Sequence, residues 1–308
     1  MMRNWLLAFS SWLLALGCGA QSPQQVEQEE QEVPHAGSTF EYEREYTKED
    51  SALVVKLLKE AKTKRGKENR MIYFGKKFLG LPYVGHTLER GDKEHLIVNL
   101  RELDCTTFVE TVLALTLCDK DDQRTFDDYC NNLMKIRYRH GKMTDYTSRL
   151  HYFTWWGDDN VELGLVKDIG IMDNPFRGVQ TVQINYMSTH PNLYKQLRNH
   201  PEFVPVIKAY EEETNGKEYP YILKKDLNWH PSTPLAMVRS GDIVAMLTDQ
   251  DGLDTRHIGI AFWQDGKLHL LHASSLYKKV LMSKETFYEY EMKQPKHIGI
   301  RVWRVVEK

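Results

Sequence analysis

The chain has 308 residues, 41% hydrophobic and 27% charged, which suits one large domain or two small ones with a core that needs no disulfide staples. A net charge of -2 at pH 7, a pI near 6.6 and the lack of any Lys/Arg cluster exclude an electrostatic footprint for nucleic acid.

Behind Arg3, the run "NWLLAFSSWLLALGCGA" is short, apolar and ends in small residues, the pattern of a secretory signal. It is too short for a comfortable membrane span. The stretch Leu14 to Cys18 resembles a bacterial lipobox, except that Ala15 stands where leucine is usual. That resemblance implies that Cys18 becomes a lipidated first residue and anchors the protein to a membrane. Cleavage after Ala20 is the alternative, because Cys18 and Ala20 are both small. The expected organisation is a signal peptide (1–18), a flexible acidic linker (19–45) and a folded domain (46–308). The linker "GAQSPQQVEQEEQEVPHAGS" has almost nothing to bury. Three cysteines remain, Cys105, Cys118 and Cys130, and an odd number in an exported chain leaves at least one free thiol. Cys118 and Cys130 are a candidate pair.

Within the folded part, apolar spacing predicts helices over 51–64, behind Ser51, and over 70–80, ending at Gly80. A third runs over 105–118. Phe108, Val109, Val112, Leu113 and Thr116 form its apolar face, and Asp104 occupies the N-cap position. "TFDDYCNNLMKIRYRHG" predicts a fourth. The segment 125–235 is less regular; it contains the aromatic stretch "DYTSRLHYFTWWGDDN" and a helical part near 190–214. "GDIVAML", "HIGIAFW", "KLHLLHA" and "HIGIRVWRVV" then read as strands of an antiparallel sheet. Helices first and strands later make an α+β domain.

A thiol is a nucleophile as its thiolate, and the start of a helix favours negative charge. Cys105, next to its capping Asp104, is therefore expected to carry a lowered pKa. It needs a base, and the C-terminal hairpin offers one. If Asp265-Gly266 is a two-residue turn, Gln264 faces Lys267 and His272 faces Gly259. His257 and His272 then share one sheet face as diagonal neighbours, while His269 points to the other. This split counts against a metal site built from the three histidines. A cysteine, a histidine and a second polar residue orienting the first form a nucleophilic triad.

"LPYVGH", "LDCTTFVE", "SGDIVAM" and "HIGIAF…LHAS", in this order, resemble the NlpC-type papain-like cysteine hydrolases of bacterial cell walls. "RYRHG…DYTSRLHYFTWW" is similar to the N-acetylmuramoyl-L-alanine amidase-like branch. The resemblance implies a papain-like fold in which the nucleophile helix packs on the C-terminal antiparallel sheet. It also implies Cys105 as nucleophile, His257 as base, His272 as its orienting partner and Tyr83 at the border of the site, with no cofactor or metal. The expected function is exported cleavage of the amide between N-acetylmuramic acid and L-alanine in muramyl peptides. An endopeptidase cutting after D-glutamate, an acyltransferase and a non-enzymatic peptidoglycan-binding lipoprotein are the alternatives.

The middle segment is expected to shape specificity. Ser148, Arg149, His151, Tyr152, Trp155 and Trp156 mix hydrogen-bonding groups with flat apolar faces, which suits a sugar-peptide carrying a carboxylate. Two alternatives stand beside that reading: paired tryptophans in the core, and an internal ion pair for Arg149.

Overall fold

Thr47 opens the first helix, α1 (Lys48–Thr63), in a capping box: its side chain accepts from the Asp50 N–H and the Asp50 carboxylate accepts from the Thr47 N–H. The expected start at Ser51 is one turn late, because this reciprocal pair caps the chain upstream of the serine. The computed structural model describes residues 42–64, 66, 68–172, 178–228, 230 and 233–307. The expected signal peptide (1–18) and the linker as far as residue 41 lie outside the described residues. Arg44 and Glu45, expected to be linker, instead form β1 (Arg44–Glu45) and pair in parallel with β2 (Leu96–Ile97). Arg44 also meets Asp127 at 2.6 Å, so the folded part begins upstream of residue 46.

Helix α2 (Arg70–Lys76) is shorter than predicted; the chain turns out of it and reaches Gly80 at φ +88, a conformation that costs glycine little. Asp104 caps α3 (Cys105–Lys120), its carboxylate accepting from the Thr107 N–H at 2.8 Å. Every residue of α3 from Thr107 to Asp119 is buried, not one face alone. Helices α1, α2 and α4 (Phe126–Arg137) pack around it, and the sheet closes the remaining side. A helix that is apolar nearly all round belongs in a core. Cys118 and Cys130 are both buried as free thiols and form no bridge.

Among the described residues the sheet has eight antiparallel strands: β3 (Val166–Asp168), β4 (Gly178–Thr181), β5 (Glu218–Leu223), β6 (Ile243–Thr248), β7 (Thr255–Gln264), β8 (Lys267–Ser274), β9 (Lys279–Met282) and β10 (His297–Val305). Their order is β4-β5-β10-β6-β7-β8-β9, with β3 also on β10. The sequence pattern anticipates β6, β7, β8 and β10. It misses β3, β4, β5 and β9, which are too short or too irregular for a clear alternation. Helix α5 (Phe153–Glu162) grows out of the aromatic stretch.

Alternation is strict where the sheet is sandwiched. Ile243, Ala245, Ile258, Ile260 and Leu271 join the helix-side core, while Val244, Met246, Ala261, Leu268 and Leu270 pack with Phe287 and Tyr290 on the other side. Asp265 (φ +51) and Gly266 (φ +71) make the expected two-residue turn. Gln264 faces Lys267 and Ile260 faces Leu271, as the hairpin parity requires.

Candidate functional site

The start of α3 and the start of β7 meet at one cavity of about 480 Å³. Cys105 and Thr106 line it from the helix, His257 and Ile258 from the strand. Ladder pairing between β7 and β8 stops at Ile260 and Leu271, and the Ile258 backbone beyond it lies near enough to the Cys105 sulfur to favour its charged form. Across the same gap, His257 Nε2 lies 2.6 Å from His272 Nδ1. Gly259 permits this approach: a Cβ there would stand 3.0 Å from the His272 Cβ and 2.7 Å from Leu270 Cδ1. His269 points the other way, its Nδ1 near the carbonyls of Ser283 and Glu285. Among the described residues no group of three or more His, Cys, Asp and Glu side chains is arranged to hold a metal ion.

The electrostatics differ from the sequence expectation. Burial, followed by the adjacent Asp104 carboxylate, pushes the Cys105 thiol up to about 12; the donors from Ile258 and Thr106 oppose this without reversing it. Burial also holds His257 well below its ordinary 6.5, with His272 and His297 adding to the shift. Burial alone lowers His272 to about 4. At neutral pH the resting pair is therefore a thiol and a neutral imidazole, not a preformed thiolate–imidazolium pair. Iodoacetamide should still modify Cys105 before Cys118 and Cys130, because those two are fully buried. Its rate should keep climbing from pH 7 to pH 10. A rate already level by pH 7 would reveal a preformed thiolate.

The expected specificity residues separate into three groups. His151 and Tyr152 line the cavity. The His151 Nε2–H donates to the Tyr146 carbonyl at 2.8 Å, and burial, then the Arg149 charge, lower its pKa to about 3. Tyr152 donates to Glu211 at 2.7 Å and accepts from the Met187 N–H at 2.9 Å, which fixes its ring in the wall. Tyr83 stands beside Cys105, and burial, then the Cys105 and Asp104 charges, raise its phenol pKa.

Ser148, Arg149 and Trp156 are not in the wall. Ser148 donates to the Asp145 carbonyl and accepts from the Thr144 N–H, closing a turn. Trp156 is fully buried, stacked on Phe153 and edge-on to Trp303; Trp155 is buried too, bonded to Thr214. Both tryptophans serve the core because α5 packs between β3 and α4. Arg149 is buried and bonded to Glu94 and Glu89, each at 2.6 Å, so the internal ion pair is the outcome. Arg149→Ala should accordingly destabilise the fold by about 3–5 kcal/mol, because buried Glu94 loses its counter-ion and retains only the Tyr138 hydroxyl. Denaturant unfolding measures this; a stable variant with only a raised KM would contradict it.

Sequence reasoning missed several cavity residues: His86, Met187, Tyr194, Arg198, Asp254 and Arg256. Arg256, directly before His257, carried the one usable signal. A register shift in the β6–β7 ladder leaves it as the extra residue of a bulge, which turns a side chain that simple alternation would place elsewhere.

A family model described as AmiA-like, N-acetylmuramoyl-L-alanine amidase-like, matches residues 73–300. Among solved structures, an N-acetylmuramoyl-L-alanine amidase from Bacteroides uniformis is 43% identical, with a TM-score of 0.71 over 77% of this chain and 98% of its own. A Bacteroides fragilis protein named as a candidate xylanase is also 43% identical, with a TM-score of 0.71 over 76% of this chain and 99% of its own. A Legionella pneumophila protein at 23% identity, TM-score 0.65 over 84% of this chain and 95% of its own, shares the fold alone. Curated proteins offer no match. With the family model covering α3, α4, α5, the cavity and the hairpin together, the chain belongs to the N-acetylmuramoyl-L-alanine amidase-like family.

Proposed function

We propose that the chain is an exported cysteine amidase that cleaves the amide between the lactyl group of N-acetylmuramic acid and L-alanine in peptidoglycan fragments. The observation that carries this reading is the histidine pair, 2.6 Å apart, whose first member shares a cavity with Cys105. The family and the name of the Bacteroides uniformis neighbour support the choice of bond. A nucleophile helix packed on an antiparallel sheet supports an NlpC-type, papain-like arrangement. Export rests on the leader sequence, and a lipidated Cys18 would hold the enzyme at a membrane of the cell envelope.

Cys105 begins as a thiol and His257 as a neutral base. For His257 Nδ1 to accept the thiol proton, its Nε2–H must donate to His272 Nδ1, which assigns the His272 proton to Nε2. The sulfur attacks the lactyl carbonyl carbon while the proton moves to His257. Backbone N–H groups at the start of α3, including that of Cys105, receive the oxyanion. His257 then protonates the alanine nitrogen as the C–N bond breaks, leaving a muramyl thioester. Water, deprotonated by His257, hydrolyses the thioester and returns the thiol. His272 is neutral and offers no countercharge, so the imidazolium is short-lived and its proton passes readily to the leaving amine.

Mass spectrometry of a digested muramyl tri- or tetrapeptide is the test. The expected products are the free sugar acid and the intact peptide, with sugar-free peptide left uncut. A cut between D-glutamate and the third residue would make the protein an endopeptidase instead.

A further inference from the structure

We infer that two arginines on the cavity wall, Arg198 and Arg256, grip the carboxylates of an acidic stem peptide. The inference rests on the peptidoglycan reading above and names the part of the substrate that this wall takes. With Arg149 committed to Glu89 and Glu94, the carboxylate-binding role expected of it falls to other cations. Both candidates line the cavity and are exposed. Arg198 lies on the short helix Lys195–Asn199 and, among the described residues, donates only to the Asn192 carbonyl. Arg256, at the bulge beside His257, donates to the amide oxygen of Gln250. Neither forms an ion pair with a described carboxylate.

Each acidic group of the wall is held through one oxygen, the second Glu89 oxygen being buried without a hydrogen bond among the described residues. Glu89 is held by Arg149, and Asp254, 3% exposed, accepts the Thr154 N–H at 2.6 Å. The third cation, Lys195, is turned back onto the carbonyls of Arg90 and Gly91, with Asp92 at 3.6 Å. The wall thus presents two guanidinium forks without a countercharge among the described residues. A guanidinium matches a carboxylate with two parallel bonds, which selects for acidic ligands and fixes their orientation. A stem peptide supplies such groups at D-glutamate, at a diacid in the third position and at its C-terminus.

The test is calorimetric titration of the full chain carrying Cys105→Ala, so that no turnover interferes. The ligands are the tripeptide L-Ala-D-Glu-diaminopimelate and the same peptide with its carboxylates amidated. Arg198→Ala and Arg256→Ala should each weaken binding of the acidic peptide by about 10-fold, and together by about 100-fold. The amidated peptide should bind weakly and indifferently to all variants. Both side chains are exposed, so thermal midpoints should not move. Equal binding of the acidic peptide by parent and variants overturns the inference, as does equal binding of the amidated peptide or no binding of either. Because binding is read without cleavage, a different scissile bond in the product assay would defeat the amidase reading and leave the arginine result standing.

Discussion

Cys105→Ala is expected to abolish amide cleavage, by about 10⁴-fold or more, without unfolding the protein. On the proposed mechanism the sulfur supplies the bond to the substrate carbonyl, and no second cysteine lines the cavity among the described residues. The side chain is small and part-exposed, so its loss leaves little void and no broken ion pair. Product yield by mass spectrometry, paired with a thermal melt, separates lost chemistry from lost fold. A folded variant that keeps a tenth of the parent rate would remove Cys105 from the mechanism. The pH profile of the parent carries the same argument further. With His257 held well below 6.5, its base form persists as the pH falls from 8 to 6.5, so kcat/KM should be nearly flat there. The acid limb should appear below pH 6.5. The Cys105 thiol, near 12, should add no limb on the alkaline side up to about pH 9.

The histidines should separate by role. On that mechanism His257→Ala removes the group that moves the proton in both half-reactions and should lower kcat by about 10³- to 10⁴-fold. His272→Ala leaves the base in place but frees its ring to turn and to take the other tautomer; a fall of about 10²-fold is expected. His272→Asn restores a hydrogen-bonding side chain at that place and should recover part of the rate. His269→Ala should turn over normally, yet lose about 1–3 kcal/mol of stability with its bond to the Ser283 and Glu285 carbonyls and its stacking on Phe262. A folded but inactive His269 variant beside an active His272 variant would reverse the assignment.

What was legible in the sequence was governed by neighbours in the chain. Asp104 caps α3 through a residue three positions on, so the helix start at Cys105 could be read from four residues. The Asp265-Gly266 turn sets a period-two count, and that count alone put His257 and His272 together and His269 apart. Arg149 and Trp156 lay beyond this reach. Their segment is as rich in polar and aromatic groups as a binding surface, but Glu94 and Glu89 are 55 and 60 residues from Arg149, and Trp303 is farther still from Trp156. No local spacing encodes such partners. The charge state of Cys105 divides along the same line. The helix start, visible in the sequence, argues for a thiolate; enclosure of the sulfur between α3 and β7 argues for a thiol and prevails. The sequence by itself determined where Cys105 and the histidine pair stand, because caps and hairpins are short-range. Only the tertiary structure decided which charges meet ligand and which meet each other, because desolvation and ion pairing depend on whatever the fold brings alongside.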